Sequence, residues 1–381
     1  MLLVIGLVAL VAGASHVVII HPLGPSRLFY HAQAQIVQWN TRCPTDAPKW
    51  MASIQRYATR NMGALASQLA WISPSGRFMH CETGWKGSIF GDELLSPSAR
   101  FRYASATKTL TAIAVLDLIN RGKLSLHDRL GTVIGLNDEL QGLRVNSITI
   151  AHLLSHRGGW DRVRTQDSMF LIDKDPWCPS KPEKLATSGL MYQPGEVESY
   201  SNLGYCLLGL AIEKVAGQPF REYMADHFNF ARNTLAFVSG PYKPEEPKYD
   251  FRHENFYTKG YYEHFDFQAI SSSAGISGNA SDLARLVKNS LDSGPLTILN
   301  GDMKSDCDPT QVQGCYGYGL YRYQPKGKEP LYIHDGKLPG ATSAIIVTPK
   351  KGVLVWLGAG SAPPGSDALP HFYDYIRDSI K

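Results

Sequence analysis

The stretch Ser-Ala-Thr-Lys at residues 105–108 decides how the rest of the chain is interpreted. An apolar run follows it and predicts a helix that ends at Gly122. If this helix opens at Ser105, residues three apart share one face, so the amine of Lys108 can reach Ser105 Oγ. A lysine whose pKa is lowered by burial or by nearby cations can then activate the hydroxyl as a nucleophile. No other serine in the chain has a lysine three residues on, although a surface Ser and Lys at a helix start would share the spacing.

A second polar cluster, Tyr200-Ser201-Asn202, follows a Pro-Gly turn and precedes an apolar run that predicts another helix from Leu203. The phenol of Tyr200 could relay a proton to a leaving group, and the amide of Asn202 could bond both the lysine and the substrate. Ser201 or Asn202 could equally cap the helix, and the two roles are compatible.

A third cluster, His334-Asp335-Gly336, ends a strand-like run. Gly336 would let a substrate approach the strand edge with no Cβ in the way. The backbone N–H of Lys337, paired with that of Ser105, could form an oxyanion hole. A second His-x-Gly triplet lies at residues 156–158, but strand context and position in the chain favour the later one.

The order of predicted elements indicates an α+β fold. Strands are predicted at residues 64–72, 77–83, 332–334, 343–348 and 352–357, and helices at 50–60, 107–121, 148–154, 203–215, 280–291 and 368–380. Strands at both ends with helices between them imply an antiparallel sheet closed by distant segments and flanked by N- and C-terminal helices. An all-helical lobe, roughly residues 125–290, would be inserted into it.

The order Ser-x-x-Lys, Tyr-x-Asn, then a cationic or polar residue-x-Gly on a late strand resembles the serine β-lactamases and penicillin-binding proteins. The flanking segments 100–104, 122–126, 148–156 and 273–284 resemble that family as well. The resemblance runs from about residue 50 to the C-terminus. It implies a β-lactamase/transpeptidase-like fold with the active site between the sheet edge and the helical lobe, acyl-enzyme chemistry, and no metal or organic cofactor.

The resemblance also implies roles for individual residues. The catalytic side chains would be Ser105, Lys108, Tyr200, Asn202 and His334, with Asp335 and Gly336 contacting the substrate. Many β-lactamases carry lysine where this chain has His334; histidine there resembles the D-Ala-D-Ala carboxypeptidases, D-aminopeptidases, some esterases and the mitochondrial β-lactamase-like protein. Because histidine can be neutral near pH 7, a permanent cation facing a substrate carboxylate is not assured. Efficient β-lactam hydrolysis is therefore not expected.

Three functions remain open from the sequence. The first is a peptidase or amidase acting on small peptides or D-amino-acid derivatives. The second is a carboxylesterase or transacylase with the same chemistry. The third is a scaffold or filament-forming protein that keeps the fold with weak catalysis, which the complete set of chemical side chains disfavours. The expected partner is a small-molecule or short-peptide acyl donor, and the sequence does not define an oligomeric state.

Residues 1–20 hold no charged side chain. They fit a cleaved secretory leader with a small-residue site at 12–14, or a signal anchor of about 19 apolar residues that could bind the chain to a membrane. Residues 21–46 contain several prolines and no clear periodicity, which predicts a linker, and 47–381 would form the catalytic domain. The chain is expected to be secreted, periplasmic or membrane-anchored, with an organellar address left open.

The net charge of +4 and the absence of Lys/Arg runs argue against a nucleic-acid-binding surface.

Six cysteines could pair in 15 ways. Cys307 and Cys315 bracket a polar segment that suits a disulfide, whereas Cys206 lies in an apolar helical run and is predicted to be a buried free thiol. The sequence contains no His/Cys cluster of the kind that binds zinc.

Arg157 is interpreted as half of a surface ion pair rather than a substrate contact. Aromatic residues between 256 and 267 could line an acyl pocket or simply pack a long loop.

Overall fold

The computed structural model describes residues 30–165, 176–247, 265–301, 307–338, 340–360 and 368–380, with the side chains of residues 30 and 31 excepted. The predicted leader, the first nine residues of the predicted linker and most of the aromatic stretch at 256–267 lie outside these ranges. Within them, no helix has both the length and the apolar character needed to span a bilayer.

The described elements confirm the predicted order of strands and helices. The helices are α1 (Tyr30–Val37), α2 (Lys49–Asn61), α3 (Thr107–Asn120), α4 (Leu130–Ile134), α5 (Ile150–Leu154), α6 (Asn202–Ala216), α7 (Phe220–His227), α8 (Ser271–Ala274), α9 (Ala280–Ser290) and α10 (Ala368–Ser379). The strands are β1 (Thr41–Arg42), β2 (Ala66–Ile72), β3 (Phe78–Gly84), β4 (Phe101–Arg102), β5 (Ala236–Phe237), β6 (Ile276–Gly278), β7 (Tyr321–Tyr323), β8 (Leu331–Leu338), β9 (Ala341–Val347) and β10 (Val353–Ala359).

Seven strands form one antiparallel sheet in the order β1-β3-β2-β10-β9-β8-β7. Strand β2 pairs with β10 along its full length, from Ala66 opposite Ala359 to Ile72 opposite Val353. The N-terminal hairpin is thereby joined directly to the C-terminal meander. This pairing confirms the prediction of one sheet closed by distant segments.

Helices cover both faces of the sheet, which explains why β2 and β10 are buried along their whole length. The side chain of Ser67 accepts a hydrogen bond from Gln55 of α2, whereas that of the next residue, Gln68, accepts one from the backbone N–H of Ala280 in α9. Successive strand residues point to opposite faces, so α2 and α9 lie on opposite sides. Helix α10 packs beside α2, with Phe372 against Trp356 of β10.

The helical lobe centres on α6, which packs against α3, α4, α5, α7 and α8. Helix α9 falls inside the range predicted for the lobe, 125–290, but it packs against β2 and β10 of the large sheet. The lobe therefore ends before α9. Three further strands form a second, small sheet in the order β4-β6-β5.

The prediction of a linker at residues 21–46 is wrong for the part that the structure describes. Residues 30–37 form α1, which packs against α2, and β1 pairs with β3. Ala34 and Val37 are fully buried. The proline content of this segment suggested an unstructured connection, but its few apolar residues are enough to dock it on the domain.

All six cysteines are paired, as Cys43–Cys81, Cys178–Cys206 and Cys307–Cys315. The predicted Cys307–Cys315 disulfide is confirmed. The prediction of a free thiol at Cys206 is wrong, because an irregular segment carrying Cys178 lies against α6. Three disulfides indicate folding in an oxidising, exported environment.

Candidate active site

The nucleophile candidate sits on a strained turn that enters α3. Ala104 has φ 49°, a left-handed conformation that is uncommon for a residue with a side chain, and residues 104–106 form a 3₁₀ turn. The side chain of Ser343 on β9 donates a 2.6 Å hydrogen bond to the carbonyl of Tyr103 and ties the turn to the sheet. Because Ser105 lies in the first turn of a helix, its N–H has no acceptor within the helix.

Strand β8 runs directly beside this turn. A Cβ placed on Gly336 would collide with the carbonyl oxygen of Tyr103 and lie 2.8 Å from the amide nitrogen of Ser105. Gly336 therefore makes room for the nucleophile turn, and the expectation that it also lets a substrate approach the strand edge stays a prediction. Lys337, whose amide is predicted to form an oxyanion hole with that of Ser105, is the next residue on the strand.

Lys108 lies one helical turn beyond Ser105 and is fully buried. Its Nζ is 3.4 Å from Ser105 Oγ, 2.7 Å from Asn202 Oδ1 and 2.9 Å from the carbonyl oxygen of Ser273. The two shorter contacts are to oxygens that can only accept hydrogen bonds, so each takes an N–H group of the amine. The remaining position on Nζ is then directed at Ser105 Oγ. The structure thus brings Ser105, Lys108 and Asn202 together, as predicted, and adds the carbonyl of Ser273, which the sequence analysis had noted only as part of a flanking segment.

The N-terminus of α6 supplies the second predicted cluster. The side chain of Ser201 accepts a 3.2 Å hydrogen bond from Gly204 N and caps the helix, which leaves the amide of Asn202 for Lys108. Both the capping role and the lysine contact are therefore present. Tyr200 is half-buried, and its ring centroid lies 4.8 Å from Lys108 Nζ. This distance places the phenol ring beside the amine.

His334 is buried and neutral. Its Nδ1 lies 2.8 Å from the carbonyl oxygen of Asp335, which fixes the proton on Nδ1, so Nε2 accepts from the hydroxyl of Tyr316 at 3.1 Å. Burial lowers its pKa to about 3. Both ring nitrogens are engaged within the protein, and His334 is only 1% exposed. It lies at the site as predicted, but its ring holds Tyr316 and the strand.

His156, from the triplet that the sequence did not favour, also belongs to the site. Its ring lies 4.3 Å from those of Tyr200 and Tyr316, and its Nδ1 accepts a 3.3 Å hydrogen bond from Ser201 N. Burial holds its pKa well below the ordinary range. The ring thus supports both Tyr200 and the start of α6. The sequence analysis had noted His156 only in a flanking segment and in the disfavoured triplet, and neither pattern signalled this contact.

Arg157 is buried, so its interpretation as half of a surface ion pair is wrong. Its Nη1 donates to the carbonyl of Glu196 at 2.8 Å, and its Nη2 lies 4.0 Å from the carboxylate of Glu198. The left-handed residue His156, with φ 55°, turns the chain here so that the guanidinium is directed into the loop before α6. Arg157 therefore fastens that loop.

A cleft of about 480 Å³ opens between β8 and the N-terminus of α6. The predicted site residues that line it are Ser105, Tyr200, Asn202, His334, Asp335 and Lys337. Lys108 lies behind Ser105. Of the aromatic residues expected to line a pocket, Phe265 packs against Ala104 and Leu338, close to the nucleophile turn.

The cleft wall carries charges of both signs. The side chains of Arg162 and Lys337 are exposed, whereas Asp335 is buried and its Oδ1 accepts a 3.1 Å hydrogen bond from Gln313. Burial raises the pKa of Asp335, and the hydrogen bond from Gln313 and the cations oppose that shift. Among the described residues, no group of His, Cys, Asp or Glu is arranged to hold a metal ion.

Comparison with known proteins agrees with this geometry. The family model named Beta-lactamase matches residues 63–373. A Dichelobacter nodosus protein named for fimbrial assembly, FimD of serogroup D, is 34% identical over 368 residues, 96% of this chain and 93% of that protein.

Two solved structures share the fold. The D-amino acid amidase from Ochrobactrum anthropi SV3, complexed with L-phenylalanine amide, has a TM-score of 0.65 at 19% identity, over 87% of this chain and 96% of that one. A penicillin binding protein from Bacillus halodurans has a TM-score of 0.60 at 22% identity, over 81% and 94% of the two chains. These identities carry the fold, and the activity has to be argued from the site.

Proposed function

This chain belongs to the beta-lactamase family, and we propose from that premise that it is a serine hydrolase that forms an acyl-enzyme on Ser105. Its substrates are small peptides or D-amino-acid derivatives, which it cleaves as a peptidase or amidase. The observation that carries the proposal is the set of three contacts made by Lys108 Nζ, to Ser105, Asn202 and Ser273.

These contacts suit a general base. A neutral lysine amine has two N–H donors and one lone pair. Asn202 Oδ1 and the Ser273 carbonyl accept the two N–H groups, so the lone pair is directed at the hydroxyl of Ser105. As Ser105 Oγ bonds to the substrate carbonyl carbon, its proton passes to Lys108 and the carbonyl oxygen takes the negative charge. The N–H groups of Ser105 and Lys337 stabilise that oxygen.

Collapse of the tetrahedral intermediate breaks the bond to the leaving group. An amine leaves only when protonated, and the phenol of Tyr200, beside Lys108, can pass the lysine's proton to it. Water then attacks the acyl-serine carbonyl along the reverse proton route and releases the acid and the free Ser105 hydroxyl. The need for leaving-group protonation is strongest for an amide, which is why we place peptides and amides ahead of esters.

The proposal is tested with an uncharged fluorophosphonate probe on the soluble fragment from about residue 30. Wild-type protein should be labelled, and Ser105→Ala should lose all labelling. Ser98→Ala, an exposed serine in a loop outside the cleft, is the matched control and should label normally. Lys108→Met should reduce the labelling rate by at least about 100-fold, within the range for loss of a general base. Folded wild-type protein that takes no label would contradict the proposal.

The leaving group is tested separately. D-amino-acid p-nitroanilides should be turned over together with p-nitrophenyl esters. If the esters react and the anilides stay untouched, the carboxylesterase or transacylase alternative replaces the amidase.

A second candidate is a part in surface-filament assembly, favoured by the name of the 34% identical Dichelobacter nodosus relative. Here the fold would act as an assembly factor with weak catalysis. Deleting the protein in its own cell and restoring it as Ser105→Ala separates the two candidates. Filament assembly restored by the alanine variant would favour the assembly role, whereas failure to restore it would tie assembly to the chemistry of Ser105.

A further inference from the structure

Two carboxylates line the cleft and have no role in the chemistry described above, and the first, Asp161, already accepts hydrogen bonds from Ser199 and from the backbone after it. Asp335 lines the cleft and is 9% exposed. Its Oδ1 accepts a hydrogen bond from Gln313, which the Cys307–Cys315 loop carries. Its other hydrogen bond comes from its own backbone N–H, and among the described residues no Lys or Arg nitrogen lies within 4.0 Å of the carboxylate. A carboxylate can accept about four hydrogen bonds, so an acid held in a cleft wall by these two can bind a further donor.

The surroundings of Asp335 favour a cation there. Arg162 and Lys337 act on it only from a distance, and both side chains are exposed to solvent, where their charges are screened. Burial, in contrast, raises the pKa of Asp335 because little water reaches the carboxylate. A protonated amine that entered the cleft would replace the missing hydration, whereas a carboxylate would add a second negative charge to a poorly hydrated site.

The position of Asp335 sets how far this cation lies from the reaction. Asp335 directly precedes Gly336, the residue in contact with the backbone of Tyr103 and Ser105. Consecutive Cα atoms are about 3.8 Å apart, so the backbone of Asp335 lies next to the residue that contacts the nucleophile turn. Asp335 and Ser105 also line the same cleft, so a group that binds Asp335 shares the cleft with the carbonyl that Ser105 attacks.

We propose that Asp335 is a specificity-determining residue that selects acyl donors carrying a protonated amine close to the scissile carbonyl and rejects donors carrying a carboxylate there. This inference rests on the proposed function of Ser105. A cationic residue or a hydroxyl at the position of Asp335 would instead favour acyl donors that carry a carboxylate.

The test uses three p-nitroanilides that differ only at the amine: D-alanine p-nitroanilide, its N-acetyl derivative and its N-succinyl derivative, which are cationic, neutral and anionic. Each is measured by the concentration that halves the rate of fluorophosphonate labelling, so the result does not depend on turnover. Wild-type protein should be protected best by the cationic compound and least by the anionic one.

Asp335→Asn keeps an oxygen for Gln313 and removes only the charge. It should weaken protection by the cationic compound by about 30-fold, the size of one charge-assisted hydrogen bond, leave the neutral compound within about threefold, and improve protection by the anionic compound. The exposed acid Asp138 lies outside the cleft, and Asp138→Asn should change none of the three.

The outcomes separate the two proposals. Equal loss of protection for all three compounds would make Asp335 a structural anchor of the Gln313 loop and overturn the inference. Wild-type protein that labels normally but does not distinguish the compounds, or is protected by none, overturns it too and leaves the serine hydrolase standing. Wild-type protein that takes no label overturns both.

Discussion

The two His-x-Gly triplets of this chain share a pattern and differ in what they do. Both histidines are buried against the ring of Tyr316, at 4.3 Å for His156 and 5.7 Å for His334, and the pKa of each is lowered. In both, the histidine braces an aromatic cluster next to Lys108 and holds no charge.

The other two positions diverge. In the first triplet, Arg157 is directed into the loop before α6, and a Cβ on Gly158 would meet the side chain of Trp160. In the second triplet, Asp335 faces the cleft, and a Cβ on Gly336 would meet backbone atoms next to the nucleophile. The element that carries each triplet decides its role. The first triplet lies in a turn after the short helix α5 and supports the core, whereas the second lies on strand β8 and borders the cleft.

The largest effect that separates the triplets should come from their glycines. Gly336→Ala pushes against the backbone of Tyr103 and Ser105, which cannot move without displacing the nucleophile, so the fluorophosphonate labelling rate should fall by about 100-fold. Gly158→Ala presses on the indole of Trp160 and should lower the thermal unfolding midpoint while sparing the labelling of folded protein. Equal labelling rates in the two variants would remove the contrast.

Substitutions of the middle residues, Arg157 and Asp335, should differ in their effect on the free energy of unfolding rather than on the labelling rate. Arg157→Met removes a buried guanidinium that bonds the Glu196 carbonyl, and the free energy of unfolding should fall by about 2 kcal/mol. Asp335→Asn keeps its hydrogen bond and should change that free energy by less than about 1 kcal/mol. Urea denaturation measures both. A larger destabilisation from Asp335→Asn than from Arg157→Met would mean that the assignments are reversed.

The two histidines should give the smallest difference between the triplets, because both should destabilise the protein in the same direction as the pH falls. Both are neutral in the folded protein, whereas the unfolded chain binds a proton on each below pH 6.5, their ordinary pKa. The unfolded state is then favoured, so the free energy of unfolding falls as the pH drops below 6.5, by about 1.4 kcal/mol per pH unit for each histidine. For His334 the loss levels off near pH 3.

Urea denaturation at pH 6.5, 5.5 and 4.5 checks this. His156→Gln and His334→Gln should each reduce the dependence of the free energy of unfolding on pH by the contribution of one histidine, about 1.4 kcal/mol per pH unit. A slope unchanged in either variant would mean that the histidine in question is charged in the folded protein.

Local spacing made the first half of the site predictable. The i,i+3 relation of Ser105 and Lys108 lies within one helical turn, and apolar periodicity marked the strands and the helices that flank them. Tyr200 and Asn202 could be named because a motif and a helix start coincide there. Each of these inferences needs only residues that are close in sequence.

The remainder depended on contacts between distant segments. His156 and Tyr316 meet His334 only through packing of the lobe on the sheet, and no periodicity in their own segments foretells it. Cys206 was misassigned for the same reason, since its partner lies in an irregular segment. The purpose of Gly336 likewise depends on which backbone approaches it, and a single strand pattern does not reveal that.

The pairing of β2 with β10 has a consequence for when the protein can become active. A polypeptide leaves the ribosome and crosses a membrane N-terminus first, so the serine, lysine and tyrosine emerge well before the late strands. Until those strands dock, the turn at Ser105 has neither the strand beside it nor the second amide that would stabilise a developing oxyanion. On the proposed mechanism, synthesis order alone therefore delays the reactivity of Ser105 until β8 has docked, and a chain trimmed before β8 would lack the strand that supports the nucleophile.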